Sequence, residues 1–191
     1  KDIHRDMAAE VYLCRPKQVS KGMRNVAKNK FVFPILYGSY YISCARDLWD
    51  QIGQLGLKLQ DGTPLKDHLR AVGISNCGDC NPKLKPVRGT LEHNVKRCED
   101  LFNERFPVFG KQKEVWWNEY LKKGWFETMT GFIIRGIYNK NYLMNSPIQG
   151  PGFHCLLWSI IELDKWLTKY GMKTLIVAQI HDCILMDVPH D

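Results

Sequence analysis

Apolar positions near the start of the chain recur at helical spacing. Ile3, Met7, Ala8 and Val11 form one stripe, and Asp2 stands where an N-cap belongs, so a short helix is expected from Asp2 to Leu13. Arg15-Pro16 stops it. Ser20 opens a second, longer helix that runs toward Tyr37, with Gly38 as its end. Pro34 lacks a backbone donor and its ring meets the carbonyl of Lys30, so a kink or bulge is expected between Lys28 and Pro34. One or two short helices follow within Asp47–Ala71, broken by the turn Gln60-Asp-Gly-Thr-Pro64. Residues 72–90 are rich in Gly, Pro and Lys and are expected to be a loop or insertion. Leu91–Phe106 and Phe109–Lys123 then give a helix pair divided at Pro107, with Gly124 ending the second.

The period changes in the last third. Phe126–Tyr138 alternates and contains Gly131 and Gly136, as a β-ribbon does. Asn145-Ser-Pro-Ile-Gln-Gly150 is expected to be a turn leading into an apolar helix, Phe153–Tyr170. Two apolar runs, Thr174–Ile180 and Cys183–Val188, flank His181-Asp182, which places this dipeptide at a hairpin tip. Helices precede a small antiparallel sheet, and the expected class is α+β.

Charge adds a partner to this outline. Net charge is +7, which favours a polyanion, nucleic acid first. Between Val11 and Phe31 stand six cations (Arg15, Lys17, Lys21, Arg24, Lys28 and Lys30) and no acid. Arg24 and Lys28 lie four residues apart on one helix face. No apolar run reaches membrane-spanning length. The seven cysteines are odd in number and scattered, as in an intracellular protein with reduced thiols. Cys77-Gly-Asp-Cys80 has the spacing of half a zinc site, but no second pair completes it, and a turn with two free thiols is the better reading. Asp182, rigidly held at a turn, is a natural ligand for Mg²⁺, which takes one or two protein carboxylates besides substrate phosphates.

Taken in order, these blocks resemble the DNA polymerase I family (family A), over nearly the whole chain and with phrasing closest to phage-type members. Asp2-Ile3-His4 resembles the opening of the family's fingers. Arg24-x3-Lys28 followed by Tyr37-Gly38 resembles motif B, and Gly124–Gly131 resembles the segment that re-enters the palm. Asn145-x-Pro147-x-Gln149-Gly150 is similar to a primer-template contact, and His181-Asp182 to motif C. The resemblance implies a right-hand polymerase fold, with helical fingers over residues 1–123 and part of an antiparallel-sheet palm over 124–191. It implies template-directed synthesis of DNA by two-metal nucleotidyl transfer from a dNTP to a primer 3′ end. Asp182 would be the catalytic, magnesium-binding carboxylate. His4, Arg24, Lys28, Phe33 and Tyr37 would contact the dNTP. Asn145, Gln149 and His181 would contact primer-template DNA through minor-groove acceptors. The expected setting is the cytoplasm of a bacterial, phage-infected host.

The chain departs from the family pattern in places. Lys28 and Tyr37 are one residue further apart than is usual, which leaves Val32 as a register alternative to Phe33. Cys183 replaces an acid that commonly follows the motif C Asp, and Phe132 stands where a base is common. Motif A, with the ligand for the second of two Mg²⁺ ions, is expected upstream of Lys1 or on a separate chain, together with the thumb. The 191 residues alone are then expected not to polymerise. A single-subunit RNA polymerase segment and a non-catalytic DNA-binding module derived from a polymerase are the alternatives.

Overall fold

The computed structural model describes residues 2–190. The chain divides into two compact units, Lys1–Trp117 and Asn118–Asp191.

The first unit is helical. Helix α1 (Ile3–Val11) is capped by the Asp2 carboxylate, which accepts from the His4 and Arg5 amides. A 3-10 turn (Pro16–Gln18) leads to α2 (Lys21–Ala27), capped by the Ser20 hydroxyl. The expected bulge is present: Lys28–Val32 is a π-helical turn, closed by the Phe33 amide donating to the Lys28 carbonyl five residues back. Helix α3 (Phe33–Leu36) follows, and Gly38 ends it with φ of 91°. Helix α4 (Tyr41–Gln54) begins six residues earlier than the sequence pattern suggests, since Asp47 was the expected start. The reason is tertiary: the Glu99 carboxylate accepts from the Tyr41 amide and satisfies an N-terminal donor from outside the helix.

Helices α5 (Leu65–Ala71), α6 (Leu91–Arg105) and α7 (Pro107–Lys123) complete the helical series. The core gathers Tyr12, Met23, Phe31, Leu48, Leu65, Leu69 and Leu91, all fully buried, between α1, α2, α4, α5 and α6. Asn94 fastens α6 to the end of α1, donating to the carbonyls of Glu10 and Val11.

In the second unit β1 (Trp125–Glu127) pairs antiparallel with β2 (Ile133–Arg135), with Phe126 opposite Ile134. The Tyr120 hydroxyl donates to the Gly136 carbonyl and accepts from the Tyr138 amide, which ties the ribbon to the end of α7. Helix α8 (Lys140–Lys169) then runs without a break. This corrects the expectation of a turn at Asn145–Gly150, which lies inside the helix. Pro147 and Pro151 cost the helix two donors, but Leu143, Pro147 and His154 recur at helical spacing and are buried. Gly150 shares that face, where an added Cβ would stand 3.3 Å from the Thr128 side chain. Packing of this face outweighs local propensity. The chain ends in a hairpin of β3 (Leu175–Ile180) and β4 (Cys183–Asp187), with an irregularity between Ile176 and Ala178.

Candidate nucleotide and nucleic-acid sites

Each unit gathers part of the expected residue set. In the first unit, α1 contributes His4, α2 contributes Arg24, and the π turn and α3 contribute Lys28, Phe33 and Tyr37. The His4 and Phe33 rings meet edge to face with centroids 5.7 Å apart. The Lys28 ammonium lies 5.0 Å from the centre of the Phe33 ring, and Phe33 lies 5.9 Å from the Tyr37 ring. Of the two register alternatives, Val32 is buried in the core, whereas Phe33 sits half-buried among His4, Lys28 and Tyr37.

Arg24 is held by a partner that the linear pattern does not reveal. Its Nε and Nη2 donate to the two oxygens of Asp2, at 2.7 and 3.2 Å. Asp2 therefore caps α1 and orients Arg24 with one carboxylate. The hydrogen bond from Arg24 holds the Asp2 pKa down to about 2, assisted by the Arg5 and His4 amides. The His4 imidazole is also held below its ordinary range, by burial first and then by the charges of Arg24 and Lys28. Its Nδ1 is buried and makes no hydrogen bond to the protein. The face thus carries the Lys28 ammonium, the Arg24 guanidinium paired with the Asp2 carboxylate, a neutral imidazole and two aromatic rings, a combination suited to a phosphorylated ligand with a flat ring.

In the second unit, an open cleft of about 400 Å³ is lined by Gln149, Gly152, Phe153, Leu156, His181 and Asp182. Helix α8 supplies one wall and the β3–β4 turn the other. His181 has φ of 53°, a left-handed conformation uncommon outside glycine, and the Gln179 side chain donates to its carbonyl. Strain of this kind collects at functional turns. Asp182 is exposed, and its carboxylate accepts from the Cys183 thiol at 3.7 Å. Asn145 is one helical turn before Gln149 and does not line the cleft; its Oδ1 is buried and has no protein partner. Among the described residues no group of three or more His, Cys, Asp or Glu side chains is arranged to hold a metal. A lone carboxylate in an open cleft fits Mg²⁺, which shares its coordination with substrate phosphates and water, and does not fit a closed structural site.

Comparison with solved structures gives the POL domain of Pol1 from M. smegmatis, in complex with DNA primer-template and dNTP, at a TM-score of 0.63 and 16% identity. The match covers 98% of this chain and 28% of that one. The fold is that of part of a polymerase domain. The DNA polymerase of Bacillus phage SP01 is 26% identical over 206 residues, which cover the whole chain and 18% of the phage protein. DNA polymerase I of Lactococcus lactis subsp. cremoris is 32% identical over 129 residues, 61% of this chain and 14% of that protein. These relatives are DNA polymerases of bacteria and of a phage, and the chain is similar to them in sequence. No family model matches it. It spans less than a fifth of the length of these curated relatives.

Among the described residues no helix is long and apolar enough to cross a membrane.

Proposed function

We propose that the chain forms the fingers, residues 1–123, and part of the palm, residues 124–191, of a template-directed DNA polymerase that transfers a nucleotide from a dNTP to a primer 3′ end. The supporting observation is the run of contacts from His4 through Phe33 to Lys28 and Tyr37, on the side of the π turn away from the core. Phosphoryl transfer asks a protein chiefly for positioning and charge neutralisation. Arg24 and Lys28 would neutralise the triphosphate, and His4 would add a contact to its oxygens. The Phe33 ring would meet the sugar and the Tyr37 ring the nascent base pair. In the palm portion, His181 and Gln149 would contact the primer-template, with Asn145 one turn away. Asp182 would hold magnesium, which when bound supplies neutralisation of charge on the transferring phosphoryl group. The other metal-ligating carboxylate would come from outside the described residues.

Saturation-transfer NMR of Mg-dATP against the 191-residue chain tests the nucleotide site. Transfer to base and sugar protons is expected for the wild type and is expected to vanish in Lys28→Ala and Phe33→Ala, with the helical circular-dichroism signal retained. Equal transfer in all three proteins would refute the site. Primer extension by the chain alone is expected to give no product, and robust incorporation would overturn the partial-palm reading.

A further inference from the structure

The 72–90 loop is not a loose strap. Its two flanks are pinned together: Ser75 donates to Gly89, Leu91 to Asn76 and Glu92 to Cys77, and Asn76 bridges Thr90. At the base, the Cys77 and Cys80 sulfurs lie 3.4 Å apart, and the buried Glu92 carboxylate accepts from the Cys80 amide. Gly78, at φ of 105°, leaves no room for a Cβ, which would stand 2.5 Å from Glu92. Arg46 donates to the Cys80 carbonyl and ties this base to α4. The result is a compact loop with closed ends, of a kind that is frequently functional.

The outer part of the loop has one sign of charge. Asn81–Thr90 contains Lys83, Lys85 and Arg88 and no acid. All three are exposed, and no ion pair engages any of them among the described residues. Asn81 organises the turn beneath them, its side chain accepting from the Lys83 amide and its carbonyl from the Leu84 amide. Pro82 and Pro86 restrict the backbone further. Interleaved with the cations are Leu84 and Val87, 51% and 61% exposed.

We propose that this loop grips single-stranded nucleic acid, with Lys83, Lys85 and Arg88 on successive phosphates and Leu84 and Val87 against unstacked bases. The proposal rests on the polymerase reading, which supplies a template strand. Cations pre-ordered by a pinned stem lose little entropy on binding. The interleaved apolar side chains favour a single strand, because a duplex hides its base faces.

The test is fluorescence anisotropy of a labelled oligothymidylate with the full chain across a range of salt. The triple variant Lys83→Ala/Lys85→Ala/Arg88→Ala is expected to lower the slope of log affinity against log salt by about 2, at roughly 0.7 per phosphate contact. Leu84→Ser/Val87→Ser is expected to weaken binding at an unchanged slope. A slope unchanged in the triple variant, or no binding by the wild type, overturns the proposal. So does a loss confined to duplex DNA, or a loss of polyglutamate binding with oligothymidylate binding intact, which would assign an acidic peptide instead. Mg-dATP saturation transfer is expected to persist in the triple variant. If the wild type gives no such transfer while the salt slope still responds to the loop, the nucleotide reading fails and the loop assignment stands.

Discussion

Lys28 and Phe33 are five residues apart, yet the ammonium of one lies 5.0 Å from the ring centre of the other. In an unbroken α-helix a five-residue step ends about 140° beyond a whole turn, and Val32 would be the residue beneath Lys28. The π turn removes that offset. Its hydrogen bond from the Phe33 amide to the Lys28 carbonyl brings i and i+5 onto one face. Val32 turns into the core and Phe33 turns out toward His4 and Tyr37.

Val32 and Phe33 are therefore expected to respond oppositely to truncation. Val32→Ala removes two buried methyl groups and is expected to cost about 2 kcal/mol, read as a lower urea midpoint, with Mg-dATP transfer retained. Phe33→Ala is expected to change the midpoint less and to abolish the transfer. The reverse pattern would place Val32, and not Phe33, at the nucleotide.

A second expectation follows from the same turn. Asn29 is exposed and lies within the π segment. Deleting it together with Pro34→Ala leaves Phe33 four residues after Lys28, so that a regular α-helix restores their common face. The double change is expected to keep a cooperative urea transition and the nucleotide signal. Deleting Asn25 within α2, where no extra residue is accommodated, rotates every later side chain and is expected to abolish both. Collapse of the Asn29 variant would show that the π turn is needed for more than register.

The local rules of capping, proline chemistry and glycine termination were legible in the chain wherever both partners are near neighbours. Asp2 and Ser20 cap the helices they were expected to cap, Pro34 accompanies a bulge, and Gly38, Gly124 and Gly171 end helices with positive φ. What was missed depends on long-range partners. The early start of α4 needs Glu99, 58 residues on. The Asp2–Arg24 fork joins residues 22 apart, and no periodicity signals it. Asn145–Gly150 looks like a turn because Pro and Gly are poor helix formers. Only the burial of Leu143, Pro147 and His154 on one face, with Thr130 hydrogen-bonded to His154, explains why the helix continues. Asp182 and Gln149 were separate motifs in the sequence, and the structure brings them to one cleft without bringing Asn145.

The cysteines divide into two groups by access. Burial raises the Cys44, Cys77 and Cys98 thiols to about 12 and Cys14 to about 11, whereas Cys155 and Cys183 are exposed. From an ordinary value of 9.0, such a rise to 12 cuts the thiolate fraction about a thousandfold. Iodoacetamide at mildly alkaline pH is expected to modify Cys155 and Cys183 first, with Cys77 and Cys80 following only on unfolding, as mapped by peptide mass spectrometry. Alkylation of Cys77 as fast as Cys183 would mean that the stem of the basic loop opens readily.

Acid is expected to destabilise the first unit in two steps, through His4 and Asp2. The His4 pKa is below 6.5 in the folded chain, so as pH falls under 6.5 the unfolded state takes up its proton first, and stability declines. Asp2 is depressed from 3.8 to about 2, so its contribution is complete above 3.8 and is lost as pH falls from there through 2. Asp2→Asn is expected to remove the lower step and leave the upper one, in urea midpoints measured against pH. The upper step also reports on ligand. A triphosphate beside His4 offsets the repulsion from Arg24 and Lys28 and favours the imidazolium, so Mg-dATP is expected to raise the His4 midpoint in a proton NMR titration. Lys28→Ala is expected to raise that midpoint without ligand, because one repelling charge is gone, and to weaken the response to Mg-dATP. A His4 titration indifferent to both nucleotide and Lys28 would separate the imidazole from the phosphate site and leave it as packing for Phe33 alone.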